Sequence, residues 1–536
     1  MVRLISKRLF TGCRIARFTS LDTDVTQDHA AMKIVFVLLD SLNRTAMEPY
    51  GTKTIHTPNF SRFQQRAVTF DNHYVGSLPC MPARRDIHTG RSHFLHRSWG
   101  PLEPFDDSFP EIMKQNGVYT HLVTDHHHYF ADGGATYHQR YSSWELVRGQ
   151  AIDRWKAEVE PDHDKLRSSF HPMQQHRTNY MINRNFMVDE DDYCSPQLFK
   201  LADEFLQRNH QSDNWLLQLE CFDPHEPFHA PRRFRDRYKT SYDGPILDWP
   251  IYDRVKETPE EITELRANYA ALVTMTDEYF GKLLDIFDQH DLWADTALVL
   301  TTDHGFLLGE HDWWAKNRMP VYDEIAHIPL MIYHPDFAKE GGSRRRALTQ
   351  TTDLMPTFLD MAGLAIPDDV TGHSLIPLLR GDDGKRDSVI FGYFGAAVNV
   401  CDGRYSYFRY PALPEADSLH EYTLMPTRMT ERFSIGDLVG ATLHPSFSFT
   451  KGAPVLKLDP KTGHNGKPVE VQGMEFEDMQ SALYDLDTDP GQTTPLDDPK
   501  ITARLCQQII TNMAMLDAPQ EAYHRFGLQP PGDEQG

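Results

Sequence analysis

The chain has 536 residues, of which 40% are hydrophobic, and its formal net charge at pH 7 is −23. The acidity argues against nucleic acid as a partner, because phosphate contacts need clustered lysine and arginine. An anionic substrate has to be attracted by local rather than global charge. A chain of this length buries a large core and divides into more than one domain.

Residues 1–31 differ in composition from the rest of the chain. Five lysine or arginine residues precede the first acid, Asp22, as is typical of a transit peptide. We expect this segment to be a leader or an N-terminal extension, since Met32 lies directly before the first predicted strand. The segment has no secretory apolar core, and no stretch of the chain is apolar over the length of a bilayer. The expected location is therefore the cytoplasm, with no membrane partner.

Two short apolar runs each end in an acid. Residues 32–39 precede Asp40, and residues 297–302 precede Asp303 and His304. Continuous aliphatic and β-branched runs are typical of strands that are buried on both faces. An isolated acid at a strand end usually caps a loop. Because ligands of open α/β sheets bind outside the carboxyl ends of strands, the two runs together predict a site for a divalent cation.

A cysteine motif lies between these two runs. Cys80 and Arg84 form a Cys-x-Pro-x-Arg pattern that is followed by Thr89 and Gly90. A free cysteine is most often a small buried apolar residue, and a short pattern counts only in the right context. The two strand-end acids supply that context. They would bind a metal ion, and a metal ion can activate a nucleophile at position 80 that forms a covalent intermediate.

Strands and helices alternate through the first two thirds of the sequence. Strand-like runs at 215–220 and 330–333 are separated by a helical stretch at 260–288. This alternation predicts an α/β fold, in which a large, mostly parallel sheet is sandwiched by helices. We assign this catalytic domain to residues 32–381.

After Gly381 the pattern changes to short aromatic strands without long helices between them. This change predicts a smaller C-terminal α+β domain over residues 382–515, containing an antiparallel sheet, and a tail over 516–536. The six cysteines are scattered without paired spacing, so a disulfide framework is not expected.

The motifs resemble the type I, formylglycine-dependent sulfatases of the alkaline phosphatase superfamily. Besides Asp40 and the cysteine motif, the shared signatures occur in the family's order at residues 221–228, 301–311, 314–316, 351–357, 372–375 and 483–490. The resemblance covers residues 32–515 and implies an alkaline phosphatase-like fold.

The resemblance implies that Cys80 becomes formylglycine, through a formylglycine-generating enzyme that acts during maturation. One hydroxyl of the aldehyde hydrate attacks sulfur or phosphorus, and the other later expels the bound group. Arg84 would hold the hydrate. The implied ligands of one divalent metal ion are Asp40, Cys80, Asp303 and His304.

The resemblance also implies residues for proton transfer. His225 and Lys316 would contact the sulfate or the leaving oxygen, and either could donate a proton to the departing alkoxide. His127 or His128 would accept the proton when sulfate is expelled. The family commonly has a lysine where this chain has Asp125, and Asp125 is interpreted as a contact to a hydroxyl or ammonium of the substrate.

Two further departures concern the metal. Ser41 stands where many sulfatases have a second adjacent aspartate, and His304 stands where others have asparagine. Fewer carboxylates and an imidazole suit borderline metals better than calcium. Calcium is nevertheless the first expectation for the bound ion, and manganese and magnesium stay open because of these two departures.

The predicted function is hydrolysis of a sulfate monoester, either a sulfated sugar or a small organosulfate. The alternative is a phosphonate monoester or phosphodiester hydrolase with the same site. A third reading is a metal-binding relative that keeps Cys80 unmodified. The expected partner is an anionic small-molecule or oligosaccharide sulfate ester, and a homo-oligomer is left open.

Overall fold

The computed structural model describes residues 32–317, 320–412, 419–460 and 480–532. The predicted leader, residues 1–31, lies outside the described residues. Within the described part of the chain, no helix combines the length and the apolar character that crossing a membrane requires. The described residues form one compact unit, and the predicted domain boundaries at 381 and 515 within it stay predictions.

The strands belong to one large and several small sheets. In chain order they are β1 (Lys33–Leu39), β2 (Val68–Tyr74), β3 (Ser77–Leu78), β4 (Tyr119–Thr124), β5 (Ser143–Leu146), β6 (Trp215–Cys221), β7 (Thr296–Thr302), β8 (Leu307–Leu308), β9 (Trp314–Ala315), β10 (His327–Tyr333), β11 (Arg344–Arg345), β12 (Thr349–Gln350), β13 (Val389–Tyr393), β14 (Val398–Cys401), β15 (Tyr405–Arg409), β16 (Glu421–Thr423), β17 (Thr442–His444), β18 (Val455–Leu458) and β19 (Ala482–Asp485).

The helices cover both faces of the large sheet and one face of a small one. They are α1 (Pro58–Gln64), α2 (Cys80–Thr89), α3 (Phe109–Gln115), α4 (Ala135–His138), α5 (His163–Arg167), α6 (Thr178–Arg184), α7 (Cys194–Asn209), α8 (Arg232–Arg235), α9 (Pro259–Gln289), α10 (Asp323–Ala326), α11 (Leu354–Met361), α12 (Ile376–Arg380), α13 (Ile435–Val439), α14 (Pro499–Met515) and α15 (Gln520–Arg525).

The large sheet has nine strands in the order β11-β2-β10-β7-β1-β6-β4-β5, and β12 also pairs with β2. Its central strands β7, β1, β6 and β4 run parallel. Only β10 is antiparallel to its neighbours in this sheet. The predicted mostly parallel α/β sheet is therefore confirmed.

Strand β1 shows why the sheet lies between two helical layers. Val35, Val37 and Leu39 belong to one hydrophobic core with residues of α7 and α9. The alternate residues of β1 pack into the opposite core with α3 and α11. Because side chains alternate across a strand, a run without polar positions buries both faces.

The longest helix, α9, begins at a well-defined cap. Thr258 accepts a hydrogen bond from the backbone N–H of Glu261, whose side chain returns a bond to the cap residue, and Pro259 occupies the first helical position. This capping box satisfies amide groups that the helix leaves free. The helix then packs along α1, α7 and α8.

A five-stranded sheet follows in the C-terminal part, with the order β19-β15-β14-β13-β3. Strands β13, β14, β15 and β19 are antiparallel, as predicted for this part of the chain. The sheet's last member is β3, which pairs in parallel with β13 and lies just before Cys80. The smaller sheet therefore supports the segment that leads into α2.

Two C-terminal features were not predicted. A three-stranded antiparallel sheet has the order β16-β18-β17. The predicted tail contains α15, where the 1% exposed Arg525 donates from Nη2 to the carbonyl of Gly395 at 2.7 Å. Part of the tail is therefore packed against the rest of the C-terminal region.

Candidate active site

Four predicted ligands converge at the carboxyl edge of the large sheet. Asp40 follows β1, Asp303 and His304 follow the adjacent parallel strand β7, and Cys80 is the first residue of α2. One potential ligand atom from each lies within 4.8 Å of the others. The Sγ atom of Cys80 is 3.2 Å from Nε2 of His304. The strand-end positions therefore form one cluster with the cysteine, as the sequence predicted.

Helix α2 carries both residues of the cysteine motif. Arg84 lies one turn after Cys80, so both side chains share a face of the helix. The Nη1 of Arg84 donates to the carbonyl of Cys80 at 3.0 Å and to Oδ2 of Asp303 at 2.6 Å. Its Nη2 donates to Asp40 at 2.9 Å, and its Nε donates to Glu220 at 2.5 Å. Arg84 thus links the cysteine helix to three strand-end acids, and its predicted contact to the hydrate stays a prediction.

Glu220 was not predicted to belong to the site. It lies on β6, next to β1, and is fully buried. Tyr129 donates to its Oε2 at 2.8 Å, and Gln218 donates to the same oxygen at 3.1 Å. These bonds fix the carboxylate that holds Arg84, so Glu220 contributes indirectly to the position of the cysteine helix.

The buried charges of the site are unbalanced in favour of acids. Four carboxyl groups and two bases are each at most 1% exposed: Asp40, Glu220, Glu226, Asp303, Arg84 and Lys316. Buried charges are costly unless they are paired or coordinate a metal. The excess of two carboxyl groups corresponds to the charge of one divalent cation.

The donor set also fits a divalent cation. Burial opposes ionisation of Asp40, but Arg84 and Lys316 outweigh it and lower its pKa to about 2. Nδ1 of His304 faces the carbonyl of Gly305 at 2.9 Å, which assigns the proton to Nδ1 and leaves the Nε2 lone pair toward the cluster. Burial lowers the pKa of His304, which favours the neutral imidazole that a metal ligand requires.

Ser41 replaces a potential carboxylate ligand and links two other residues. Its Oγ donates to Oδ1 of Asp40 at 2.8 Å and accepts a bond from Nζ of Lys316, also at 2.8 Å. Its backbone has a φ of 59°, and its amide donates to Asp303 at 3.1 Å. The hydroxyl therefore connects the lysine to the metal-ligand candidate without adding negative charge.

Lys316 and His225 approach the cluster from two loops. The Nζ of Lys316 is 4.0 Å from Asp40 and 3.9 Å from Glu226. Burial opposes the ammonium, but the Cys80 thiol and the acids Glu226 and Asp40 raise the pKa of Lys316 above its usual value. His225 is 8% exposed, and its ring lies against Phe222 with centroids 4.1 Å apart. Lys316 and His225 both lie beside Glu226 at the site, and their roles as proton donors stay predictions.

The three consecutive histidines enter the site differently from the prediction. His127 and His128 lie in a 3-10 turn over His127–Phe130, with ring centroids 4.2 Å apart. Burial lowers the pKa of His127 to about 4 and lowers that of His128 as well. His126, which the sequence analysis passed over, is fully buried, and its Nε2 is 3.8 Å from Oδ2 of Asp40. His126 follows β4, which pairs in parallel with β6, so its position in the sequence could have indicated that it lies at the same edge of the sheet.

Asp125 has partners within the protein. This carboxyl is 1% exposed, its Oδ1 accepts from the backbone N–H of Phe222 at 2.8 Å, and its Oδ2 faces Nε2 of Gln150 at 3.4 Å. Burial and the neighbouring Asp223 raise its pKa well above the usual value. Asp125 therefore ties two loops together, and its contact to a substrate stays a prediction.

Gly305 allows the strand-end turn to pack closely. A Cβ atom at this position would lie 1.8 Å from the carbonyl oxygen of Glu324, and the amide of Gly305 donates to Ile325 at 2.9 Å. We expect Gly305→Ala to lower the free energy of unfolding by about 3 kcal/mol, because a rigid backbone atom must move. Chemical denaturation checks this value.

Gly381→Ala is the matched control for this variant. Its Cβ atom would meet no atom within 4 Å, and its φ of −163° is open to any residue. We expect its unfolding free energy to stay within about 0.5 kcal/mol of the parent. Equal stability of both variants would contradict the close packing behind Asp303 and His304.

The mostly parallel sheet carries a buried cysteine and three possible metal ligands at its carboxyl edge. The sulfatase family model matches residues 33–364, more than half of the chain. The chain therefore belongs to the sulfatase family, and it is a sulfuric ester hydrolase.

Two relatives among those found illustrate the similarity in sequence. An ulvan-active sulfatase of Formosa agariphila is 27% identical over 362 residues, covering 66% of each chain. An N-acetylglucosamine-6-O-sulfatase of Bacteroides thetaiotaomicron is 26% identical over 435 residues, covering 71% of this chain and 74% of the relative.

Solved structures agree on the fold. One, in complex with its substrate D-glucosamine-2-N,6-O-disulfate, has a TM-score of 0.62 at 17% identity and covers 92% of this chain and 99% of its own. The phosphonate monoester hydrolase of Agrobacterium radiobacter has a TM-score of 0.60 at 17% identity and covers 90% of this chain and 95% of its own.

Proposed function

We propose that the chain hydrolyses a sulfate monoester through formylglycine at position 80 and one divalent cation. The observation that carries this proposal is the cluster of Cys80, Asp40, Asp303 and His304 within 4.8 Å. Burial and the charge of Asp40 raise the pKa of the Cys80 thiol well above its usual value, so the unmodified side chain stays a protonated and poor nucleophile. The position therefore suits an aldehyde hydrate better than a thiolate.

Asp40, Asp303 and His304 would hold the cation, which would polarise the hydrate and bind the anionic ester when present. Calcium stays the first candidate, with manganese and magnesium as alternatives. Arg84 keeps the nucleophile's helix against the acids. Lys316, held by Ser41, places an ammonium where negative charge accumulates on the transferred group.

The leaving alkoxide needs a proton, and His225 is the proposed donor. Its Nδ1 is occupied by the carbonyl of Glu226 at 2.5 Å, so Nε2 is the ring nitrogen that remains for the ester oxygen. Burial and the charge of Lys316 hold the pKa of His225 well below its usual value, so its imidazolium is a stronger acid than the Lys316 ammonium and transfers a proton more readily. His126, His127 and His128 are the candidates for the base that accepts the proton when sulfate is expelled.

Sulfated sugars are the proposed substrate class. One relative is named an N-acetylglucosamine-6-O-sulfatase, and one structural neighbour binds a disulfated glucosamine as its substrate. The phosphonate monoester hydrolase neighbour supports the second candidate, a phosphonate monoester or phosphodiester, because it has the same fold.

Two measurements test the proposal. Intact mass of the purified protein reports whether Cys80 has changed from thiol to aldehyde. Rates on matched aryl sulfate and aryl phosphonate esters, with the same phenol as leaving group, compare the two substrate classes. A modified protein that cleaves the phosphonate faster than the sulfate would overturn the sulfatase proposal in favour of its alternative.

We expect His225→Ala to affect substrates according to their leaving group. A sugar alkoxide departs poorly without a proton, whereas nitrophenolate leaves unaided. The variant should therefore lose about 100-fold in kcat/KM on N-acetylglucosamine 6-sulfate and less than about 5-fold on 4-nitrophenyl sulfate. Steady-state kinetics on both esters measures the difference.

Lys316→Ala is the comparison for this experiment. Loss of a charge that binds the sulfate should depress kcat/KM on both esters by a similar factor, because the sulfate is common to them. Selective loss in Lys316→Ala, with equal losses in His225→Ala, would reverse the two assignments.

A further inference from the structure

Glu226 lies within the signature at residues 221–228, but the sequence assigned it no role. It is fully buried and lies close to His225 and Lys316, the two residues proposed for the leaving-group side. Its Oε2 is 3.2 Å from Nδ1 of His225 and 3.9 Å from Nζ of Lys316. Its Oε1 accepts a hydrogen bond from the hydroxyl of Tyr252. One carboxylate therefore faces both candidate acids and is held from behind by a phenol.

Glu226 also controls the orientation of His225. The backbone carbonyl of Glu226 is 2.5 Å from Nδ1 of His225, and the carboxylate approaches the same nitrogen. Because two acceptors face Nδ1, the proton belongs there, and Nε2 is the nitrogen that remains for the substrate. The ring of Phe222 packs on the imidazole and restricts its plane. This arrangement fixes the tautomer and the direction of the ring, as carboxylates do for histidines elsewhere.

Burial of a neutral side chain at this position would cost less free energy than burial of a carboxylate. Burial raises the pKa of Glu226, and the charge of Lys316, the hydrogen bond from Tyr252 and a backbone hydrogen bond act against that increase. Glutamine has the same size and could keep the bond to Tyr252 without burying a charge. Geometry is what favours the carboxylate, since one oxygen faces both Nδ1 of His225 and Nζ of Lys316.

We propose that Glu226 is a positioning residue for the leaving-group step, which directs Nε2 of His225 to the ester oxygen and is itself held by Tyr252. The inference rests on the proposed ester hydrolysis. It adds no bond-making step: the imidazolium of His225 gives its Nε2 proton to the departing oxygen and keeps its Nδ1 proton, which faces Glu226.

The test uses Glu226→Gln in the mature, metal-loaded protein. We expect kcat/KM on N-acetylglucosamine 6-sulfate to fall about 100-fold and that on 4-nitrophenyl sulfate to fall less than about 5-fold. Bound metal, measured by elemental analysis, should stay at the parent level, because Glu226 is not one of the proposed ligands. Tyr252→Phe should shift the ratio of the two rates in the same direction by a smaller factor. This variant keeps the carboxylate of Glu226, so it tests the proposal even where Glu226→Gln does not fold.

Asp277→Asn is the matched control, since it removes a buried carboxylate far from the site. Asp277 lies on α9 and accepts a bond from the backbone N–H of Phe60 at 2.7 Å. Its variant should leave the ratio of the two rates unchanged. Equal losses on both esters in Glu226→Gln and an unchanged ratio in Tyr252→Phe would overturn the proposal.

The outcome is separable from that of the proposed function. If the parent protein prefers phosphonate esters, the sulfatase proposal fails. The same ratio, measured on alkyl and nitrophenyl phosphonate monoesters, still tests Glu226, because the departing alcohols are the same.

Discussion

Cys80→Ala should lower turnover of sulfate esters by at least about 10⁴-fold, because it removes the reacting atom. The side chain is 4% exposed and small, so its loss opens little space and the fold should remain. Asp40, Asp303 and His304 are unchanged in this variant, so much of the bound metal should remain too. Steady-state kinetics, thermal unfolding and elemental analysis measure the three properties.

Cys80→Ser sharpens this result. Serine supplies one hydroxyl for attack but lacks the second one that expels sulfate from the hydrate, so the enzyme should stall after the first transfer. We expect steady-state turnover to be nearly as low as in the alanine variant. A serine variant with the parent rate would show that formylglycine is not the nucleophile.

Asp40→Ala and Asp303→Ala should each lose bound divalent cation together with activity. Each variant deletes a charged ligand, and each also leaves Arg84 with one fewer of its three acids. Removing one partner of a buried pair costs about 3–5 kcal/mol, so reduced stability should accompany the loss of metal. Elemental analysis after dialysis measures the metal, and denaturant unfolding measures the stability.

His304→Ala is the graded comparison within the same site. A neutral ligand contributes less Coulomb attraction than a carboxylate, so its removal should weaken metal affinity less than either aspartate variant does. Full metal occupancy in Asp40→Ala and Asp303→Ala would contradict the assignment of the cluster as a metal site.

The central sheet could be predicted from sequence because its signal is local. The runs before Asp40 and Asp303 contain apolar residues on both faces, and this pattern alone predicts strands buried between two layers. The rule that ligands bind at carboxyl ends then brings the two acids together, as the structure shows. Neither step needs knowledge of distant contacts.

Glu220 and Glu226 could not be predicted because their meaning depends on their neighbours in space. In the sequence Glu220 is one acid in a strand, and Glu226 is one acid in a loop. Their contacts are with Arg84, Tyr252 and Lys316, which lie elsewhere along the chain. Only the folded arrangement shows that they hold the residues that the motifs identified.

The histidines show a different limit. His126, His127 and His128 are equivalent in type, and the turn that begins at His127 decides which ring faces which neighbour. The conformation of a short turn depends on what packs around it, and here that includes Phe222 and Trp99. The sequence therefore located the segment but not the residue nearest to Asp40.

The pairing of β3 with β13 joins two segments that are synthesised at very different times. Ser77 and Leu78 pair with Gly392 and Tyr393, which emerge from the ribosome long after the cysteine does. In the folded chain this pairing holds the two residues just before Pro79 and Cys80, and Cys80 is 4% exposed. We expect the proposed modification of Cys80 to be easier before Gly392 and Tyr393 are synthesised, when β3 has no partner strand.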